Sequence, residues 1–160
     1  MRDERQLQRA IELYADMVRR ICFLHLQNQA DSEDVAQDVF LKYALEPGSF
    51  HDAHHEKAWL IRVTINACKD MKKKLFRHQT LPLEALSEEA AALQPEDNDV
   101  LEAVLSLPAK YKDVIYLYYY EGYSAAEIGG LLGKKENTVY SLLSRGRTLL
   151  KKLLGGEELG

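Results

Sequence analysis

Residues 124–154 read SAAEIGGLLGKKENTVYSLLSRGRTLLKKLL, and their pattern specifies the fold of the C-terminal part of the chain. Ser124 and Glu127 have the spacing of a capping box, which fixes the start of a short helix. Gly133 is suited to end that helix, because glycine readily adopts the left-handed conformation of a C-cap. A two-lysine turn and a longer amphipathic helix follow. The stretch therefore predicts a helix-turn-helix unit, whose second helix can enter a DNA major groove.

The second of these helices has two chemically different faces. At about 100° per residue, an apolar arc is centred on Val139 and includes Leu142, Leu143 and Gly146. The opposite arc is rich in amide, hydroxyl and guanidinium groups, which suit base edges and phosphates, so we predict that it contacts DNA. An ordinary solvated helix face is the alternative explanation. The predicted DNA contacts are Asn137, Thr138, Tyr140, Ser141, Ser144, Arg145 and Arg147.

Helical periodicity also dominates the rest of the chain, and no stretch alternates like a strand. Three helices are predicted before residue 79, and the second of them begins after Asp31 and Ser32, which are good N-cap types. Helical periodicity is lost between Leu81 and Asp99, and the segment from Glu84 to Glu102 contains seven acidic residues and no basic one. We therefore predict an all-α protein of two small helical domains, 1–79 and 100–160, joined by a flexible acidic linker over 80–99.

The charge of the chain is unevenly distributed. Its 160 residues carry a net charge of −4, which taken alone argues against nucleic acid as a partner. Residues 57–78 carry a net charge of +6, however, and residues 134–160 carry +3. Basic segments within an acidic chain indicate a polyanionic partner more reliably than the total does.

The first basic segment falls on the third predicted helix. Arg62, Asn66, Lys69 and Lys73 share one side of its helical wheel, and Trp59 and Asp70 lie beside them. Cations for phosphates and an aromatic surface for unstacked bases suit single-stranded or melting DNA. Packing of Trp59 between helices is at least as compatible with the pattern, and Lys72–Lys74 also fit a solvated helix end. The predicted contacts are Trp59, Arg62, Asn66, Lys69, Asp70 and Lys73.

Residues 107–154 resemble region 4 of bacterial sigma factors, particularly those of the extracytoplasmic-function (ECF) group. The matching positions include Leu107-Pro108, Glu121-Gly122, Glu127-Ile128 and Thr138-Val139. The resemblance implies that the second helix reads the minus-thirty-five promoter element. The sequence departs from the family pattern at three places, which are Gly129-Gly130, Lys135 and Leu142.

Two further segments, DSEDVAQDVFLKYA (31–44) and HEKAWLIRVTINACKDMKKK (55–74), resemble sigma region 2. The resemblance implies that the first segment docks on core RNA polymerase and that the second recognises the minus-ten element and holds it open. It also implies that the acidic linker passes through the polymerase channels, although a solvated, disordered linker fits the sequence equally well. The implied polymerase contacts are Asp34, Gln37, Asp38 and Phe40.

The two resemblances together predict a transcription initiation factor with core RNA polymerase, promoter DNA and an anti-sigma factor as partners. The alternatives are a stand-alone helix-turn-helix regulator and a degenerate sigma-like interaction module without promoter activity. We expect no enzymatic activity, no cofactor and no small-molecule substrate, because no catalytic or phosphate-binding motif occurs at diagnostic spacing.

The histidines between His51 and His55 lack a cysteine at ligand spacing, so no metal is expected. No apolar run spans a membrane, and the chain reads as cytoplasmic with Cys22 and Cys68 reduced.

Overall fold

The computed structural model of the chain describes residues 2–78 and 99–155. Within these ranges all regular structure is helical, which confirms the all-α prediction. The chain divides into two compact units, Met1–Leu93 and Gln94–Gly160. The predicted linker lies outside the described residues except for residue 99, so its flexibility stays a prediction.

The first unit contains three helices, α1 (Glu4–Leu26), α2 (Gln29–Leu45) and α3 (Ala53–His78). Each helix contacts the other two, so the three enclose one apolar core. Both cysteines are buried in this core as free thiols. The side chains with the least solvent exposure are Ala10, Val18, Ile21, Cys22, Val39, Tyr43, Leu60, Ile61, Thr64 and Cys68.

The connection between α1 and α2 is shorter than the sequence predicts. α2 begins at Gln29 rather than after Asp31 and Ser32, so that prediction was wrong. The N-cap is Asn28, whose Oδ1 accepts a hydrogen bond of 2.9 Å from the backbone N–H of Asp31. Gln27 ends α1 directly before this cap in a left-handed conformation, with φ 53°. Asparagine caps helices as well as aspartate or serine, and here it is the first capping residue after α1.

The second unit consists of α4 (Asp99–Ser106), α5 (Ala109–Ile115), a π-helix (Tyr116–Tyr120), α6 (Ala125–Leu132) and α7 (Glu136–Leu153). α7 packs against α4, α5 and α6, so it is the element on which the unit is organised. The sequence predicts one continuous helix over 109–120, whereas the last five residues have π geometry. The most buried side chains are Val114, Leu117, Ile128, Val139 and Leu143.

The helix-turn-helix predicted from the sequence is confirmed by the geometry of α6 and α7. Ser124 Oγ accepts a hydrogen bond of 3.1 Å from the backbone N–H of Glu127, and the N–H of Ser124 donates one of 2.9 Å to Glu127 Oε1. Gly133 ends α6 with φ 68°, in the left-handed region. Lys135 occupies the N-cap of α7 without a side-chain hydrogen bond, so the capping interaction that a serine would supply is absent from this turn.

Candidate nucleic-acid interface

The predicted DNA contacts of α7 form one continuous solvent-exposed surface, which we call the recognition face. The opposite side of the helix is buried against the rest of the unit. Leu142, which departs from the family pattern, belongs to that buried side, so it contributes to the core and not to the exposed surface. All seven members of the recognition face are exposed, namely Asn137, Thr138, Tyr140, Ser141, Ser144, Arg145 and Arg147.

Arg147, at one margin of the recognition face, is tied to the π-helix. Its Nη1 donates a hydrogen bond of 2.8 Å to the hydroxyl of Tyr119. The ring of Tyr119 contacts that of Tyr118 edge to face, with centroids 5.0 Å apart, and both side chains are exposed. No local sequence pattern indicates a contact between Tyr119 and Arg147, which are 28 positions apart.

The predicted contacts of α3 also lie together at the surface. Five of the six are exposed and follow one side of the helix over three turns. Three of them are cationic, which gives this surface the positive charge that a phosphate backbone requires. We call this surface the basic stripe, and its exposed members are Arg62, Asn66, Lys69, Asp70 and Lys73.

Trp59 is the half-buried sixth residue of the basic stripe. Its ring lies 6.1 Å from that of Tyr43 in an edge-to-face arrangement and 5.8 Å from that of Phe50. Part of the indole surface therefore packs against the end of α2 and the following loop, while another part stays accessible to solvent. Both interpretations of Trp59, packing and base contact, are compatible with this placement.

Arg2 holds the residues against which Trp59 packs. Its Nε donates a hydrogen bond of 3.0 Å to the carbonyl of Tyr43, and its Nη2 donates one of 2.8 Å to the carbonyl of Gly48. The guanidinium also lies over two rings, 4.5 Å from the centroid of Tyr43 and 4.9 Å from that of Phe50. A cation bound to the carbonyl of Tyr43, at the C-terminal end of α2, is favoured by the helix dipole. Arg2 thus fixes the loop behind Trp59.

A buried carboxylate connects the three helices below this site. Glu56 Oε2 accepts a hydrogen bond of 2.6 Å from the hydroxyl of Tyr43 and one of 2.8 Å from Arg9 Nη2. Burial, followed by the hydrogen bond to Glu56, raises the pKa of Tyr43. Burial also raises the pKa of Tyr14, which lies near the same carboxylate. Glu56 precedes Trp59 by one turn of α3, so the network anchors the start of the basic stripe.

The predicted polymerase contacts lie on α2. Asp34, Gln37 and Asp38 are exposed on one side of the helix. Phe40 is only 8% exposed, so its ring packs inside the three-helix unit beneath that side. We call the exposed side of α2 the docking face.

Two leucines extend the docking face and were not singled out from the sequence. Leu41 is 59% exposed and Leu45 is 56% exposed, although both are large apolar side chains. They come after Gln37 at intervals of four residues, so all three lie along the same side of α2. Adjacent exposed apolar side chains on a helix indicate an interaction surface. The four-residue spacing from Gln37 was the signal that could have identified them.

The histidines near the start of α3 are engaged with one another. The backbone N–H of His51 donates a hydrogen bond of 3.1 Å to His55 Nδ1, and the two rings stack with centroids 5.4 Å apart. Among residues 2–78 and 99–155, no three histidine, cysteine or acidic side chains are grouped to hold a metal ion. In the same two ranges, none of the helices is long and apolar enough to cross a membrane.

Comparison with known proteins assigns the family. The Sigma-70 region 2 model matches residues 10–78, and the Sigma-70, region 4 model matches residues 97–150. The ECF RNA polymerase sigma factor SigW of Bacillus subtilis is 30% identical over 161 residues, covering 90% of this chain and 86% of that protein. The chain belongs to the ECF group of the sigma-70 family. It is a transcription initiation factor.

A further relative supports this assignment, and two solved structures share the fold. SigM of Mycobacterium tuberculosis is 31% identical to this sigma factor over 147 residues, covering 86% of this chain and 71% of that protein. The fold matches that of RpoE from Bartonella quintana, solved with the anti-sigma factor NepR, with a TM-score of 0.71, 20% identity and coverage of 96% and 99% of the two chains. It also matches CnrH, solved with the cytosolic domain of CnrY, with a TM-score of 0.70, 23% identity and coverage of 98% and 92%.

Proposed function

We propose that this sigma factor binds core RNA polymerase, directs it to specific promoters and helps to melt the minus-ten region. The observation that carries the proposal is the recognition face, a set of exposed polar and cationic side chains on a helix held by a capped α6 and a left-handed glycine turn. Such a factor positions the polymerase at a promoter, and the polymerase itself catalyses RNA synthesis. It therefore needs no catalytic group, cofactor or small-molecule substrate of its own.

At the minus-thirty-five element, α7 lies in the major groove. Asn137 and Ser141 are one turn apart near its N-terminus, so their amide and hydroxyl groups can reach neighbouring base edges. Arg145 extends from the next turn, where a guanidinium pairs with guanine or with a phosphate. The other members of the recognition face flank these three, and they are Thr138, Tyr140, Ser144 and Arg147.

At the minus-ten element, the basic stripe of α3 receives the DNA. Arg62, Lys69 and Lys73 bind phosphates, while Asn66 has an amide that can hydrogen-bond to a base edge. The accessible part of Trp59 offers a flat surface on which an unstacked base can lie. Arg2 and the hydrogen bonds of Glu56 keep the basic stripe rigid, because they hold the loop behind Trp59 and the first turn of α3. A rigid binding surface lowers the entropic cost of ordering the melted strand.

The docking face of α2 binds core polymerase through Asp34, Gln37 and Asp38. Leu41 and Leu45 supply apolar area next to these polar groups, and apolar anchors beside polar groups are typical of a protein interface. Phe40 supports the face from within the three-helix unit. We assign residues 1–79 to polymerase docking and to the minus-ten element. Residues 100–160 are assigned to the minus-thirty-five element, and the acidic linker 80–99 joins the two domains.

We also propose an anti-sigma factor as a partner and the cytoplasm as the compartment. The family resemblance supports the partner, as does the fact that RpoE of Bartonella quintana was solved with one. Core polymerase and promoter DNA are cytoplasmic in bacteria, which supports the compartment.

The proposal is tested by reconstitution. Core RNA polymerase with and without this protein is incubated with a pool of genomic promoter fragments, and the transcript start sites are sequenced. We expect start sites that depend on the added protein and share two sequence elements. The double variant Ser141→Ala/Arg145→Ala should relax or abolish selection of the upstream element. Lys152→Ala, on the exposed side of the last turn of α7, is the matched control.

Other outcomes would replace the proposal. Initiation that does not depend on the added protein across the whole pool would contradict it. Tight, sequence-specific binding to duplex DNA without polymerase would favour a stand-alone regulator. Binding to core polymerase without any initiation would favour an interaction module.

A further inference from the structure

The bond between Arg147 and Tyr119 joins the recognition face to a second element. Arg147 Nη1 donates to the tyrosine hydroxyl at 2.8 Å, and the two residues belong to α7 and to the π-helix. Both side chains are exposed. The exposed polar surface of α7 therefore continues onto a segment that precedes the helix-turn-helix.

Tyr119 lies within the π-helix, whose geometry departs from the regular spacing of side chains on an α-helix. The backbone N–H of Glu121 donates a hydrogen bond of 3.2 Å to the carbonyl of Tyr116, five residues earlier. One such turn inserts a residue into the helix and rotates the subsequent side chains by roughly 100°. Leu117 stays fully buried while Tyr119 is 56% exposed. π-turns of this kind occur frequently at functional sites.

Close packing of α7 on α5 keeps the bond in place. A β-carbon on Gly146 would lie 2.6 Å from Ile115 Cδ1, so the glycine allows the two helices to approach closely. Gly146 directly precedes Arg147, and Ile115 directly precedes the π-helix. The edge-to-face contact with Tyr118, at 5.0 Å between centroids, further restricts the ring of Tyr119.

The hydrogen-bonding capacity of the pair suits an anion. The hydroxyl oxygen of Tyr119 accepts from Arg147, so its own proton is available for an external acceptor. A guanidinium has five N–H donors, and the bond to Tyr119 uses one of those of Arg147. Two adjacent donors with a net positive charge are the arrangement that binds a phosphate oxygen. Arginine and tyrosine both contact DNA phosphates in protein–DNA complexes.

We propose that Tyr119 and Arg147 form a phosphate clamp on the DNA backbone beside the groove that α7 enters. This inference rests on the proposed function, in which α7 reads duplex promoter DNA. Tyr119 is a positioning residue for Arg147 and donates a second hydrogen bond to the same phosphate. Duplex DNA is the occupant because the pair is continuous with the recognition face and because residues 134–160 carry a net charge of +3.

The test uses holoenzyme assembled from core polymerase and the full chain, on a promoter that the wild-type protein selects from the genomic pool. Promoter affinity is measured over a range of KCl concentrations for Tyr119→Phe, Arg147→Gln and the double variant. We expect Tyr119→Phe to weaken binding by about threefold to tenfold. Arg147→Gln should weaken it further and reduce the magnitude of the salt slope by about one. The losses of the two single variants should add to more than the loss of the double variant, because the two groups act together.

Tyr120→Phe is the matched control. It removes a hydroxyl from a neighbouring tyrosine of similar exposure whose ring stacks on that of Tyr116. We expect it to bind promoter like the wild type. Thermal unfolding of Tyr119→Phe should match that of the wild type, since only a surface oxygen is lost.

The outcomes separate this inference from the function on which it rests. If wild-type holoenzyme does not initiate, the proposed function fails. If the wild type initiates but Tyr119→Phe keeps full promoter affinity, the clamp is overturned and the proposed function stands. The same holds if the affinity losses of Tyr119→Phe and Arg147→Gln simply add up to that of the double variant. If Tyr119→Phe weakens assembly with core polymerase while promoter affinity is unchanged, the surface faces a protein and the clamp is likewise overturned.

Discussion

The carbonyl oxygen of Lys134 lies 2.6 Å from the position that a β-carbon would occupy on Gly129. The backbone N–H of Lys134 also donates a hydrogen bond of 2.9 Å to the carbonyl of Gly129, so the turn after α6 folds back onto the helix at this residue. A β-carbon on Gly130 would meet no atom within 4 Å. The first glycine is therefore required by the turn, whereas the second is not.

This difference predicts opposite effects of two alanine substitutions. Gly129→Ala should destabilise the second unit by about 1–3 kcal/mol, because a backbone carbonyl must move to admit the β-carbon. Gly130→Ala should stabilise it by about 0.5–1 kcal/mol, which is the gain in helix propensity. Urea unfolding followed by far-UV circular dichroism measures both changes.

Trp59 provides the control for this pair of variants. It is the single tryptophan of the chain and lies in the first unit, so its fluorescence transition should stay the same in both variants. If Gly129→Ala proves as stable as Gly130→Ala, the turn adapts freely and the close contact with Lys134 does not constrain it.

The same two glycines illustrate how far the sequence alone could lead. Helix propensities predict that Gly129 and Gly130 together cost α6 about 2 kcal/mol, and nothing in the local pattern distinguishes one from the other. The distinction arises from where the chain runs five residues later. Likewise, the π geometry of Tyr116–Tyr120 and the partner of Tyr119 depend on tertiary packing that a run of tyrosines does not encode locally.

Helical periodicity was sufficient to predict the buried residues of a helix that turns one side toward the core. The wheel of α7 placed Val139, Leu142 and Leu143 on the apolar arc, and all three are buried. The wheel was less accurate for α3, whose predicted apolar arc is Leu60, Ala67, Cys68, Met71 and Leu75. Met71 and Leu75 are only half-buried, whereas Thr64 is fully buried. Thr64 enters the core because its hydroxyl donates a hydrogen bond of 2.6 Å to the carbonyl of Leu60, which satisfies the polar group locally. The roles of the individual site residues stay predictions until they are measured.

The hydrogen bond from Tyr43 to Glu56 predicts a loss of stability at alkaline pH. Burial and this bond raise the pKa of Tyr43 above its ordinary value of 10.0. Above that pH the unfolded chain releases the phenol proton while the native state keeps it, so the stabilisation is complete below pH 10 and is lost as the pH rises through the folded pKa. The free energy of unfolding of the first unit, from urea titrations followed by Trp59 fluorescence, should fall above pH 10.

Tyr43→Phe isolates this contribution. The variant should lose roughly 1 kcal/mol of stability at neutral pH and should show a shallower alkaline decline than the wild type. Some decline should persist, because the pKa values of Tyr14 and Cys22 are also raised in the native state. If the free energies of unfolding of the wild type and of Tyr43→Phe fall in parallel with pH, the phenol of Tyr43 does not contribute to the alkaline loss of stability.

The two cysteines should be inert in the native protein. Cys22 and Cys68 are free thiols with no measurable solvent exposure. A hydrogen bond with Cys68, followed by burial, raises the pKa of Cys22, which suppresses the reactive thiolate. We expect labelling by a disulfide reagent to be at least about a hundredfold slower in buffer than in urea, with a rate that tracks unfolding. Rapid labelling in buffer, with Trp59 fluorescence unchanged, would contradict the packing of these helices.

Leu41 and Leu45 should contribute to the binding of core polymerase. Each is more than half exposed, so replacing it costs little in folding but removes apolar area that a partner would bury. The double variant Leu41→Ser/Leu45→Ser should weaken assembly with core polymerase by about tenfold or more, measured by fluorescence anisotropy of labelled sigma factor. Leu13→Ser is the matched control, because Leu13 is 58% exposed on α1 and lies outside the docking face. If Leu13→Ser loses as much affinity for core polymerase as the double variant, general surface hydrophobicity, and not the docking face, determines the affinity.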